Sequence, residues 1–245
     1  MKTEFVNLSV DDGTAMRAYV AHPDGKPRAG LIVFQEIFGI NSHIRDVTER
    51  FGRQGFLAVA PELFHRTAPG FETGYAQSDM GAAFGQMQQM TDAGLEADIR
   101  AAHKWLRDAG QSRICSTGYC MGGRVSCLAA ITVPLSCAVS YYGGGIAPSQ
   151  FNPGLLERLK DLQAPILFFW GGKDSHIPAE SVRQVEDSAR SAQKNFTSVH
   201  FSFADHGFFC DRRGSYNLEA AGLAWPLTLA FFDTHTGALV KPAGA

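Results

Sequence analysis

Several large functional classes are excluded by what this chain lacks. It has almost no charge imbalance: 22 Lys and Arg against 24 Asp and Glu give a formal −2 over 245 residues. That leaves no electrostatic case for nucleic acid or for an anionic membrane surface as a partner. No apolar run approaches the roughly 20 residues that cross a bilayer. The opening "MKTEFVNLSV" alternates polar and apolar residues and has no basic-then-apolar leader pattern. The expectation is a cytoplasmic protein, a monomer or small homo-oligomer. No C-x-x-C pair and no H-E-x-x-H spacing occurs among the five cysteines and eight histidines, so no metal and no cofactor is expected. Cys115, Cys120, Cys127, Cys137 and Cys210 are an odd number and form no disulfide framework. No linker, repeat or low-complexity segment divides the chain, which reads as one domain over 1–245.

What is present is a core. The chain is 45% hydrophobic and 19% charged, well inside the globular range. Apolar runs at 31–35, 56–61, 113–118, 137–142, 165–170 and 197–203 read as strands. Most lack alternation, as in strands covered on both faces. Candidate helices fall between them near 43–54, 94–109, 121–131, 154–162, 179–192 and 215–235. Strand and helix alternating in this way predict an α/β fold, a mostly parallel central sheet with helices on both faces. Segments 3–10 and 14–21 flank "DDG" and predict an antiparallel hairpin at the sheet edge. Ser42 is expected to cap the helix that follows. Pro226 predicts a kink or restart in the last helix. The stretch 62–93 reads as long and irregular, a candidate lid or pocket wall. Residues 238–245 read as a frayed tail.

The stretch "STGYCMGGRV" (116–125) carries the chemistry. An apolar strand ends there and an apolar helix begins, with Cys120 on the turn. Gly118, Cys120, Gly122 and Gly123 reproduce the nucleophile-elbow pattern G-x-S-x-G with sulfur for oxygen, and no G-x-S-x-G occurs elsewhere. A nucleophile on such a turn has a strained backbone, so its neighbours two residues away must be small. The N-terminus of the following helix would stabilise a thiolate. The plainer reading is a buried cysteine beside a close-packed glycine turn.

Two later motifs favour the first reading. Asp174 in "GGKDSHIP" follows one strand, and His206 in "ADHGFF" follows the next. Both fall at the carboxyl edge where open α/β sheets place ligands. The order nucleophile, acid, histidine is that of α/β-hydrolases. His206 would take the thiol proton, and Asp174 would orient the ring. His176 and Asp205 remain alternatives to Asp174 as the third member. Asp205 ranks lower, being adjacent to His206.

These residues resemble the dienelactone hydrolases. "QEIFGIN" (35–41), "GYCMGG" (118–123), "GGKDSHIP" (171–178) and "HGF" followed by "YN" and "AA" (206–221) match that family in order along nearly the whole chain. The resemblance implies the α/β-hydrolase fold, a Cys-Asp-His triad and an acyl-thioester intermediate in opening a small ester or lactone. It further implies that Glu36 meets the Cys120 thiol and helps generate the thiolate when substrate enters, and that the N–H groups of Ile37 and Met121 form the oxyanion hole. The best-known members hold a substrate carboxylate with two arginines, one of them four residues after the histidine. Here Cys210 occupies that position, leaving Arg66, Arg212 and Arg213 as candidates. A broader carboxylesterase or thioesterase on the same triad, or a redox-sensing protein with Cys120 as sensor thiol, are the competing readings.

Overall fold

The computed structural model describes residues 1–149 and 152–237; the expected tail at 238–245 lies outside them. An antiparallel pair opens the chain, β1 (Lys2–Ser9) and β2 (Ala15–His22). The connecting turn is closed by the Val10 N–H donating to the Thr14 carbonyl. Then come β3 (Ala29–Phe34), α1 (Ser42–Arg53) and β4 (Phe56–Pro61). Next are α2 (Met80–Gln88), α3 (Asp92–Asp108), β5 (Ile114–Tyr119) and α4 (Met121–Thr132). The chain continues through β6 (Cys137–Tyr141), β7 (Ile166–Gly171), α5 (Ala179–Ser191), β8 (Phe196–Phe201) and α6 (Leu218–Thr236).

All eight strands join one sheet in the order β1-β2-β4-β3-β5-β6-β7-β8. β2 runs antiparallel to both its neighbours, and every other pair is parallel. The five strands from β3 to β7 are buried along their whole length, which explains why their sequences run apolar or small without alternation. Helices cover both faces. On one, Phe51 of α1 packs against Trp225 and Phe232 of α6, with ring centroids 4.6 and 5.9 Å apart. On the other, α3 and α4 pack together against the central strands. No helix among the described residues is long and apolar enough to cross a membrane.

The order reverses direction at β3, which has β4 on one side and β5 on the other. At such a switch point the connections leave on opposite faces, so a crevice opens at the carboxyl ends of the two strands. Glu36 and Ile37 follow β3, and Cys120 follows β5.

The local expectations need four corrections. Asn41, not Ser42, caps α1, accepting the N–H groups of His43 and Ile44 on its side chain. The segment expected as a helix at 154–162 is a 3-10 turn over Leu156–Asp161. It is confined between the turn glycine Gly154 and Pro165 at the threshold of β7, too short a span for a capped α-helix. α6 passes through Pro226 as one helix, which sets aside the restart and leaves the kink as the other alternative. The stretch 62–93 is not irregular throughout, since it holds a 3-10 turn (Gln77–Asp79) and α2. Gly81 and Gly85 weaken the helix signal there, and the stripe Met80, Phe84, Met87 was its one periodic sign.

Candidate active site

Cys120 is built into the turn between β5 and α4 with φ 57° and ψ −120°, a region L-residues avoid. The strain persists because the surrounding backbone is packed too closely to relax. A β-carbon on Gly118 would lie 1.9 Å from the Gly122 carbonyl oxygen. One on Gly122 would lie 2.3 Å from the Phe34 oxygen, and one on Gly123 would lie 2.7 Å from the Tyr141 oxygen. The glycines thus let α4 begin directly against the ends of β3 and β6. The Cys120 N–H donates to the Tyr141 carbonyl at 3.1 Å, fixing the elbow from the other side. The sulfur stays partly accessible, while the four other cysteines are buried.

The loop after β7 supplies Asp174 and the loop after β8 supplies His206. Asp174 Oδ1 accepts the N–H groups of His176 (2.8 Å) and Ile177 (3.1 Å), and Oδ2 lies 2.7 Å from His206 Nδ1. The carboxylate is therefore immobilised at both oxygens, and Nε2 of the ring is left for the cavity. Asp205 instead accepts the His206 backbone N–H. His176 is exposed at the cavity mouth, its ring 5.2 Å from that of His206. Burial opposes a charge on His206, but the charge of the Cys120 sulfur, reinforced by hydrogen bonds with Asp174 and Cys120, outweighs it and holds the pKa up at about 10. A pKa raised on folding stabilises the fold through the protonated form. That contribution is complete below pH about 6.5, the unfolded value, and is lost as pH rises through about 10. The melting temperature of the protein should fall across this interval. The fall should be shallower in Cys120→Ala, which removes the sulfur charge; equal slopes by calorimetry would contradict the coupling.

Glu36 is fully buried, and both its carboxylate oxygens are engaged by other side chains. Its Oε1 accepts from Arg213 at 3.2 Å and its Oε2 from the Tyr75 hydroxyl at 3.0 Å. Among the described residues no hydrogen bond joins it to Cys120. Arg213 reaches it because Gly207 has no side chain: a β-carbon there would come within 2.5 Å of Arg213 Nη1. The guanidinium also lies 5.7 Å from the ring centroids of Phe38 and Tyr75, within range of a cation–π attraction. Cys210 is buried in this cluster, its thiol pushed up to about 12 by burial and then by the Glu36 charge.

A cavity of about 310 Å³ opens above Cys120. Ile37, Met121, His206 and Arg213 line it with Cys120. The N–H groups of Ile37 and Met121 donate to no backbone carbonyl among the described residues. Arg66 lies elsewhere, held by Asp98 (2.8 Å) and Asp12 (2.7 Å). Arg212 lines an outer cleft beside Tyr75 and Gly214 and does not reach the cavity. Two residues that line or support the site gave little signal in the sequence. Arg124 sits on the first turn of α4 and pairs with Asp92 at 2.8 Å; its only sign was its place four residues after Cys120. Tyr75, which anchors Glu36, stands in the stretch read as irregular and had no sign at all.

One buried set of potential metal ligands occurs among the described residues, Glu36, His43 and Cys210, with ligand atoms within 4.8 Å of one another. Atoms bound to one zinc stand no more than about 4 Å apart, and both Glu36 oxygens are already engaged. Burial, against the pull of Glu36 and Asp211, lowers the His43 pKa and favours the neutral ring. The group is therefore read as a buried polar cluster beneath the cavity.

Comparison with known proteins agrees with this architecture. The family model described as the dienelactone hydrolase family matches residues 16–236. A protein named "Putative carboxymethylenebutenolidase" from Synechocystis sp. is 38% identical over 241 residues, covering 96% of this chain and 97% of its own. The protein of the same name from Escherichia coli is 35% identical over 233 residues, covering 92% and 84%. The crystal structure of a "Putative Dienelactone Hydrolase" from Klebsiella pneumoniae superposes with a TM-score of 0.83 at 33% identity, covering 95% of this chain and 99% of that one. An esterase from Thermogutta terrifontis, 21% identical with a TM-score of 0.67 and covering 99% and 95%, shares the fold. A carboxyl-edge site on an eight-stranded sheet, a strained elbow and these likenesses converge: the chain belongs to the dienelactone hydrolase family and is a carboxylic-ester hydrolase of the α/β-hydrolase fold.

Proposed function

We propose that the protein hydrolyses small esters or lactones through a Cys120 thiolate, with His206 as proton carrier and Asp174 holding the ring. The observation that carries this reading is the Asp174–His206 hydrogen bond of 2.7 Å, which aligns the ring beside a cysteine on a left-handed elbow. The thiol proton passes to His206 Nε2 and the sulfur attacks the carbonyl carbon. The N–H groups of Ile37 and Met121 receive the oxyanion. As the tetrahedral intermediate collapses, Nε2–H gives its proton to the departing alcohol oxygen, leaving an acyl thioester. Acylation removes the sulfur's charge, which was what held the His206 pKa high. The neutral ring can then take a proton from water, whose oxygen attacks the thioester and releases the acid and the thiolate. Because a thiolate is also a good leaving group, activated esters and enol lactones suit this chemistry better than amides.

Glu36 and Arg213 give a carboxylate-bearing substrate a second effect. A carboxylate that engages Arg213 competes with Glu36 for the guanidinium, and a Glu36 carboxylate released from that pair can turn to the elbow and accept the Cys120 proton as a base. Mass spectrometry of protein quenched during turnover of an activated ester tests the mechanism. The acyl mass is expected on the peptide containing Cys120 and absent in Cys120→Ala. An adduct elsewhere, or turnover that survives in Cys120→Ala, would sink it.

A further inference from the structure

We infer that the cavity face of α2 is a subsite for the hydrocarbon part of the substrate, so that the preferred esters carry a medium alkyl chain or an aromatic ring. This rests on the hydrolase reading above. Met80, Phe84 and Met87 stand at i, i+4 and i+7, one stripe of a helix, and all three line the cavity above Cys120. In α2 only Ala83 is buried. Phe84 is 38% exposed. The stripe is only partly spent on the core: Met80 and Met87 are half-buried against it, while all three side chains also face the space a substrate would fill, Phe84 most openly. Met90, Leu95 and Phe38 extend the same apolar wall.

Charge does not compete with this wall. The two arginines lining the cavity are both ion-paired, Arg124 with Asp92 at 2.8 Å and Arg213 with Glu36 at 3.2 Å. A compact polar acid must share the Arg213 charge with Glu36, whereas a hydrocarbon group gains by covering exposed Phe84 and the methionines. Methionine side chains are unbranched and adapt to differently shaped partners. Breadth among apolar groups follows, with discrimination by size more than by shape.

The test compares kcat/KM for 4-nitrophenyl acetate, butanoate and hexanoate, and for acetates of lengthening alcohols. One of the two series is expected to rise with chain length, by up to about fourfold for each methylene that becomes buried. In the double variant Phe84→Ser, Met87→Ser, the ratio of the longest to the shortest ester in that series should fall by at least about fivefold. Phe84→Leu, which keeps the surface apolar, should preserve it. Flat profiles in both series, or a ratio that survives the double variant, overturn the subsite while Cys120-dependent turnover keeps the hydrolase reading. No Cys120-dependent turnover of any ester removes both.

Discussion

An Asp174→Asn variant should lose ester turnover by on the order of 10⁴-fold while remaining folded by circular dichroism. The size follows from how the carboxylate is held. Oδ1 already accepts two backbone N–H groups, from His176 and Ile177. An asparagine must place its oxygen in that seat, because turning the amide over would face N–H against N–H. Its NH₂ group then points at His206 Nδ1, which must become the acceptor. The ring proton moves to Nε2, the nitrogen that takes the thiol proton in the proposed mechanism, and that first step is blocked. An asparagine free of fixed donors could turn its amide; the two backbone N–H groups here prevent it. Steady-state kinetics on an activated ester read the result. A loss smaller than about tenfold would mean that the His206 tautomer does not matter to the reaction.

The second large effect concerns the seat itself. Gly122→Ala would place a β-carbon 2.3 Å from the Phe34 oxygen and 2.5 Å from the Gln35 oxygen, both of them backbone atoms. No rotamer relieves that contact, so α4 must withdraw from the end of β3 or the strand must bend. A destabilisation of about 4 kcal/mol or more is expected, the range reserved for severe overpacking or backbone strain. Gly85→Ala in α2 serves as the contrast. Its β-carbon would meet nothing within 4 Å, and replacing glycine in a helix is expected to be neutral or to stabilise by up to about 1 kcal/mol. Chemical denaturation of both variants measures the difference, and comparable midpoints would refute the packing argument.

The middle of the sheet was legible because its five strands, β3 to β7, are buried along their whole length. Segments such as "LIVFQ" and "PILFFW" have one plausible home, and alternation with helices sets their direction. The positions of Cys120, Asp174 and His206 at one edge followed from each standing just past a strand's carboxyl end. What was illegible depended on side chains reaching across loops. Arg213, not Arg212 or Arg66, enters the cavity because Gly207 clears a path to Glu36, and no spacing rule encodes that. The role of Glu36 toward the sulfur came only from the resemblance; the partners that hold its carboxylate, Tyr75 and Arg213, come from segments with no periodic signal. Asn41 took the cap from Ser42 by one residue, within the uncertainty of any helix boundary.

Phe34 of β3 and Gly118 of β5 are register partners in the parallel pair. Glu36 and Cys120 each stand two residues beyond, so acid and sulfur are carried level by two neighbouring ladder rails. Their places are thereby tied to the register of the sheet more than to loop length. The parts that can vary without disturbing that foundation are the segment after β8, which delivers Arg213, and the short helix across the opening. New substrate preferences in such a scaffold are therefore more readily reached by rewriting those two appendages, with the strand tips left as inherited masonry.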